Sequence, residues 1–297
     1  MFFQQLASGL AVGSIYALIA IGYTMVYGIL FFVNFAHGDV YMFGTYCAFF
    51  IFTAFLGIDA AGEITIMKFI VGLIPAMAAC AVIGVLLERL VYRPIRKGSR
   101  LSAMISALGA SLFLCNGAMY LFGSQTRPMP KLFAGQFLTI GNTIISYIQI
   151  TIFVLSLILM LVLHLFIKRT KLGKAIRAVS DDQRAAVLMG INMDYAISAT
   201  FAIGSALAGA AGILVGIYYG AVYPTMGAVA GLKAFTAAIL GGIGSIPGAM
   251  FGGIVLGLIE SLGGAYISFG YRDAIAFCVL IIVLWLMPTG ILRKGRS

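Results

Sequence analysis

The chain alternates long apolar stretches with short polar gaps along its whole length. A helix needs about 20 apolar residues to cross the hydrocarbon core of a bilayer. Candidate spans cover about 7–31, 40–56, 67–87, 101–122, 146–167, 195–219, 228–243, 246–268 and 272–289. The stretch at 228–243 is short enough to be re-entrant. The pattern predicts an all-α polytopic membrane protein with about eight to ten transmembrane or re-entrant helices.

The composition supports this class and excludes others. With 62% hydrophobic and 9% charged residues, the chain cannot bury its apolar surface as a soluble globule. Its net charge of +10 could indicate a nucleic-acid-binding protein, but the basic residues cluster in loops beside the spans. We therefore expect membrane lipid, and not nucleic acid, as a binding partner. The four cysteines lie within apolar stretches without metal-ligand spacing, so we expect no metal site.

Three basic clusters predict the orientation of the chain. They occupy the loops 88–100 and 168–184 and the C-terminal tail, and the positive-inside rule places all three in the cytoplasm. Pro94 is expected to keep the first of these loops from extending a helix. The turn-rich loop 123–142 is then expected on the outer side.

The longest polar segment of the chain, residues 170–192, has the pattern of a docking element. Ser180 and Gln183 fit a capping box, two aspartates follow Ser180, and Gly190 supplies a stop. We therefore predict a short helix over 181–189. Such a helix is marginal alone in water, so we expect it to pack against another protein.

The two halves of the chain, 1–167 and 193–297, are joined by segment 168–192 within a single transmembrane domain, 1–297. Each half has a polar break after its first span, at 34–39 and 218–227. The predicted topology puts these breaks on opposite sides, as an inverted-topology repeat would, and such repeats place substrate paths at broken helices. Small residues four positions apart, at 204–220 and 249–261, predict close helix packing.

Several polar residues stand in or beside the spans. Asp39, Lys233 and Glu260 are ionisable, and a charge there indicates either a functional role or pairing with a neighbouring helix. His37 is either a ligand or proton carrier, or a hydrogen-bonded histidine at a helix end. The residues predicted for a translocation path are Asn34, His37, Asp39, Thr225 and Lys233.

Catalytic and nucleotide-binding motifs are absent from the sequence. There is no HExxH, GxSxG or DDxxD pattern and no GxxxxGK[ST] phosphate loop, so we expect no enzyme activity, no catalytic residues and no cofactor in this chain. A transporter of this kind takes energy from a separate ATPase subunit or from an ion gradient. An ion-coupled secondary carrier acting alone, with Asp39 or Glu260 as its coupling carboxylate, is therefore an alternative.

Four stretches resemble the H-type permease subunits of branched-chain amino acid ABC importers. They are Val33-Asn34-Phe35-Ala36-His37-Gly38-Asp39, the pattern from Glu88 to Arg96, the pattern from Leu172 to Asn192, and the pattern from Lys233 to Ala249. The resemblance covers almost the full chain in the expected order.

The resemblance implies an assembly in the bacterial inner membrane. Its members are a second homologous permease, two cytoplasmic ATPases that bind ATP, and a periplasmic protein that delivers leucine, isoleucine or valine. ATP binding would move the helix at 181–189 and shift the bundle between outward and inward access. The residues implied in ATPase coupling are Gly173, Arg177, Asp181, Asp182, Arg184, Ala185, Ala186 and Gly190. For the charged ones, a solvated loop face is the alternative.

Overall fold

The computed structural model describes residues 2–59, 62–96, 98–140, 143–287 and 290–291. Lys97 of the first basic cluster and the basic tail from residue 292 onward lie outside the described residues. Within them, eight helices are long and apolar enough to cross a membrane. The predicted class, an all-α polytopic membrane protein with eight to ten spans, is confirmed.

The helices follow the predicted apolar stretches. They are α1 (Phe2–Leu30), α2 (His37–Phe50), α3 (Ile66–Leu87), α4 (Arg93–Ile95), α5 (Arg100–Phe122), α6 (Tyr147–Arg169), α7 (Lys171–Asp181), α8 (Gln183–Leu188), α9 (Met193–Tyr219), α10 (Met226–Gly241), α11 (Ile246–Tyr266) and α12 (Arg272–Leu286). At about 1.5 Å per residue, α10 is roughly 24 Å long, which is shorter than the hydrocarbon core.

Short strands gather at one end of the bundle, here called the strand end. They are β1 (Glu63–Ile64), β2 (Arg127–Pro128), β3 (Lys131–Leu132), β4 (Phe137–Ile140), β5 (Thr143–Ser146) and β6 (Ala221–Val222). β1 pairs with β3 in parallel, while β2 with β6 and β4 with β5 are antiparallel. The opposite end, where α1 terminates beside α7 and α8, is here called the basic end.

The first basic loop is a helix extension, so the prediction from Pro94 was wrong. A π-turn over Glu88–Tyr92 joins α3 to α4, and the Arg93 N–H bonds to the Glu88 carbonyl five residues back. Proline has no N–H and cannot donate the usual hydrogen bond to the carbonyl four residues back. The wider π-turn replaces that bond and gives the proline ring room. The continuous helical span therefore runs from Ile66 to Ile95.

Helix α1 is the centre of the bundle and packs against α11, α9, α10 and α6. Its closest neighbour is α11, because Gly13 faces the backbone of Gly253 and Gly257 with no room for a side chain between them. On α9, Gly204 faces Gly22 and Gly212 faces the Tyr41 carbonyl in the same way. Both stripes of small residues are contact surfaces, as predicted.

Two helices begin after breaks in the chain, and their first turns touch. Phe31, with φ +56°, ends α1 before α2, and Gly220, with φ +66°, ends α9 before α10. A Cβ on Gly227 of α10 would lie 2.5 Å from the carbonyl oxygen of Gly38 in α2.

The two broken helices run in opposite directions. α2 is parallel to α9, since Tyr41 and Thr45 face Gly212 and Gly216 in turn. α10 is antiparallel to α11, since Gly241 at the end of α10 faces Gly248 at the start of α11. α9 and α11 both run opposite to α1. The division into inverted repeat halves stays a prediction.

Candidate functional site

The polar segment 170–192 folds as two short helices, α7 and α8. The predicted helix over 181–189 corresponds to α8, but its predicted cap was wrong, because Ser180 lies inside α7. Asp182 caps α8 instead: its Oδ1 accepts hydrogen bonds from the backbone N–H groups of Arg184 at 2.8 Å and Ala185 at 3.0 Å. The extended backbone of Asp182 interrupts the helical path, which puts its carboxylate next to those N–H groups.

Gly190 ends α8, as predicted. Its φ of +79° is left-handed, its N–H bonds to the Val187 carbonyl, and the Ile191 N–H bonds to the Ala186 carbonyl. This pair of bonds is a Schellman motif, and glycine is favoured at its left-handed position because it has no Cβ.

Thr170 turns the chain from α6 into α7. Its hydroxyl donates to the Phe166 carbonyl at 2.8 Å and accepts from the Gly173 N–H at 3.0 Å. Gly173 is buried against the backbone of Ile167, where a Cβ would overlap. Its role is therefore the shape of this corner rather than contact with a partner.

Most of the residues predicted for ATPase coupling lie on the surface. Those exposed are Arg177, Asp181, Asp182, Arg184, Ala185 and Gly190, whereas Gly173 and Ala186 are buried. Three apolar residues were not predicted from the sequence: Val187 and Leu188 at the end of α8 and Met189 just after it, which are 53%, 87% and 82% exposed. Their signal was an apolar run within a polar segment. This apolar tip is suited to a protein partner.

The segment also holds the end of α1. The Ser180 hydroxyl donates to the Gly28 carbonyl at 2.8 Å, and the Gln183 amide donates to the Ile29 carbonyl at 2.6 Å. The last carbonyls of a helix have no partner within it, so side chains from elsewhere stabilise them. The two residues of the predicted capping box therefore cap a different helix at its opposite end.

A charged network ties α3 and α4 to the start of α9. Buried Glu88 accepts from Arg96 at 2.8 Å and from the Ser198 hydroxyl at 2.7 Å. Arg96 also pairs with Asp194 at 2.8 Å, and Arg93 contacts the same carboxylate. A buried carboxylate is tolerated when it is paired and hydrogen-bonded in this way. Two arginines of the first basic cluster thus have structural partners.

The three path residues of the first break are packed inside the protein. Asn34 accepts from the Tyr92 hydroxyl at 2.5 Å, and Asp39 accepts from the Ser111 hydroxyl at 2.5 Å. The His37 ring stands edge-on to Tyr23, with 4.8 Å between ring centroids. Its Nε2 has no hydrogen-bond partner among the described residues. Sequence alone did not give these partners.

The second break is open, and its charged residue is paired. Thr225 is exposed, whereas Lys233 is 6% exposed. The Lys233 Nζ lies 2.9 Å from Glu260 Oε1 and 2.6 Å from Asp273 Oδ1. Lys233 and Glu260 therefore have the pairing with a neighbouring helix that was one of the two interpretations. Asp273 was not singled out from the sequence.

A cavity of about 380 Å³ lies beside the second break. Aliphatic side chains of α1, α9 and α10 line it, together with four tyrosines, Lys233 and Asp273. Of the five residues predicted for the path, Lys233 lines this cavity, and Thr225 lies next to its Met226 wall. Asn34, His37 and Asp39 are not in its lining.

Comparison with known proteins places this architecture in a family. The sequence profile described as "Branched-chain amino acid transport system / permease component" matches residues 5–284. The chain belongs to this permease family. The match spans the polar segment, both breaks and the cavity of the permease.

Full-length relatives agree with the profile. The permease is 48% identical to the high-affinity branched-chain amino acid transport system permease protein LivH of Salmonella typhimurium, over 99% of this chain and 96% of the relative. It is 48% identical to BraD of Pseudomonas aeruginosa and 47% identical to LivH of Escherichia coli K12, with the same coverage. The predicted H-type permease is thereby confirmed.

Proposed function

We propose that this permease forms the membrane path of an ATP-driven importer for leucine, isoleucine and valine. The observation that carries the proposal is full-length identity of 48% to permeases of high-affinity branched-chain amino acid transport systems. The apolar tip of α8 at the basic end and the cavity beside the second break supply the two surfaces that such a subunit needs.

The permease works in this proposal with a second homologous permease, two ATPases and a binding protein that delivers the amino acid. The basic end faces the cytoplasm of a bacterium and the strand end faces the periplasm. The arginines of α4 and the basic residues of α7 support this orientation, because positive charge accumulates on the cytoplasmic side. ATP is bound by the ATPases, and the permease itself is not an enzyme.

The contacts of α7 and α8 suggest how ATPase movement reaches the cavity. Closure of the ATPases would displace the tip of α8, and Ser180 and Gln183 would pull the end of α1 with it. Helix α1 is continuous from Leu30 back to Val12 and Tyr16, which line the cavity. A displacement at the basic end is thus transmitted along one helix to the cavity wall.

Transport in reconstituted vesicles tests this function. We expect vesicles that hold the complete complex and its binding protein to take up radiolabelled leucine when ATP is enclosed, and an uncoupler to have no effect. Vesicles with this permease alone should show no uptake. Uptake by the permease alone that an uncoupler abolishes would instead establish the ion-coupled carrier.

Coupling through α8 is tested on the same vesicles. Leu188→Asp places a charge on the apolar tip without touching the core, since Leu188 is 87% exposed. We expect it to abolish stimulation of ATP hydrolysis by the liganded binding protein. Lys174→Asp, exposed on α7, is the control surface change and should leave the stimulation at the wild-type level. Equal stimulation in wild type and Leu188→Asp would refute docking through the tip.

A further inference from the structure

The cavity beside the second break contains a cluster of charged side chains. Among the described residues, Lys233 is the cation in its lining, and it contacts two carboxylates, Glu260 and Asp273. A second cation, Arg272, lines an adjoining smaller cavity together with Glu260. The cluster therefore holds two cations and two carboxylates, and a buried charge of this kind needs such a partner.

The two carboxylates differ in their surroundings. The Glu260 side chain is 5% exposed and stays with Lys233 inside the helix bundle. The Asp273 side chain is 58% exposed, lies in the first turn of α12 and lines the cavity. Glu260 therefore neutralises the Lys233 ammonium group. Asp273 can separate from Lys233 without leaving an unpaired charge buried in the bundle.

The rest of the lining consists of aliphatic side chains and four tyrosines. Val12, Ile15, Val215 and Val229 line the cavity, and its volume of about 380 Å³ lies at the lower end of the range for small-molecule sites. A positive and a negative group together with walls of aliphatic and aromatic side chains match an amino acid with a branched hydrocarbon side chain.

We propose that this cavity binds a free zwitterionic amino acid with an aliphatic side chain, its ammonium group on Asp273 and its carboxylate on Lys233. The ligand inserts between the two residues and exchanges their ion pair for two others, while Glu260 keeps its contact with Lys233. No net charge enters the bundle, because the ligand is neutral overall. The inference rests on the proposed function and assigns a substrate site within it.

Binding of the amino acid can be measured without the binding protein. The complete complex in lipid nanodiscs is titrated with L-leucine, and saturation-transfer difference NMR reports weak binding. We expect 3-methylbutylamine, which lacks the carboxylate, and 4-methylpentanoate, which lacks the ammonium group, each to bind at least about tenfold more weakly than leucine.

Two variants place the site. Asp273→Asn keeps size but removes the charge, and it should raise the Kd for leucine at least about tenfold. Val229→Phe, on the half-exposed side of α10, should fill the cavity and abolish binding. Asp59→Asn is the matched control, since Asp59 is an exposed aspartate outside the lining of the cavity, and it should bind leucine like the wild type.

The outcomes separate this inference from the proposed function. Equal leucine affinity in the wild type, Asp273→Asn and Val229→Phe would overturn the site and leave Lys233 and Asp273 as a structural link between α10 and α12. The site is also refuted if a complex that imports leucine binds none of it in nanodiscs. A complex that imports no branched-chain amino acid with ATP would refute the proposed function itself. Coelution of all subunits confirms that each variant is assembled.

Discussion

The two breaks in the bundle share one plan and have opposite surroundings. In each, a long helix ends at a left-handed residue, a few irregular residues follow, and a shorter helix begins. The break at 31–36 is closed, with Asn34 buried and bonded to Tyr92. The break at 220–225 is open on one side: Val222 is buried and pairs with Arg127, whereas Tyr223 and Thr225 are exposed, and Tyr223 lines the cavity.

The difference shows that a broken helix can serve as a joint or as a wall of a binding site. The first break is filled by Tyr92, which the π-turn after α3 places there, and its α1 end is held by Ser180 and Gln183. The second break is paired with β2 along β6, where Val222 is buried, and it borders the cavity through Tyr219, Ala221 and Tyr223. We infer that the first break transmits conformational change and that the second borders the ligand site.

The contact between the two breaks should be the most sensitive point. Gly227→Ala places a Cβ 2.5 Å from the Gly38 carbonyl oxygen, so backbone must shift in both short helices. We expect a loss of about 1–3 kcal/mol in the free energy of unfolding, measured by SDS titration in mixed micelles.

Gly109→Ala is the matched control for that change. A Cβ at Gly109 in α5 meets nothing within 4 Å, so alanine should be neutral or stabilise by up to about 1 kcal/mol. Equal effects of the two substitutions on the free energy of unfolding would show that the first turns of α2 and α10 are not in tight contact.

The first break should depend on its buried hydrogen bond. Tyr92→Phe leaves the Asn34 side chain buried without its hydroxyl donor, which should cost about 1–3 kcal/mol of unfolding free energy. Tyr120→Phe, on an 89% exposed tyrosine, controls for loss of a hydroxyl and should change little. A stability equal to wild type for Tyr92→Phe would mean that the break is not held by this bond.

Sequence reasoning succeeded where a local signal decides the structure. The apolar stretches, the stop at Gly190 and the small-residue stripes depend on length, on one dihedral angle and on spacing. It failed where a distant neighbour decides. Ser180 caps α1 rather than α8, and Pro94 is accommodated by a π-turn. The pattern of the two breaks looked alike because burial of Asn34 depends on Tyr92, which is 58 residues away.

The hydrogen bonds from Ser180 and Gln183 to the end of α1 should affect the coupling of ATP hydrolysis to transport more than they affect stability. Ser180→Ala combined with Gln183→Ala removes both side-chain donors to the Gly28 and Ile29 carbonyls, at a cost of about 1 kcal/mol each. We expect transport per ATP hydrolysed to fall severalfold while the complex stays assembled. Gln4→Ala, exposed at the other end of α1, should keep the wild-type ratio. An unchanged ratio in the double variant would exclude this route from α8 to the first break.

The open break should tolerate a change that the closed one does not. Thr225 is exposed at the start of α10 and makes no side-chain capping bond, so Thr225→Ala should alter the free energy of unfolding by no more than about 0.5 kcal/mol. The same SDS titration measures it beside Tyr92→Phe. Because the exposed Thr225 side chain caps no backbone group of α10, removal of its hydroxyl strands no partner there, whereas removal of the Tyr92 hydroxyl strands Asn34. A cost for Thr225→Ala as large as that for Tyr92→Phe would show that the second break is also a packed joint, and the division of roles between the breaks would fail.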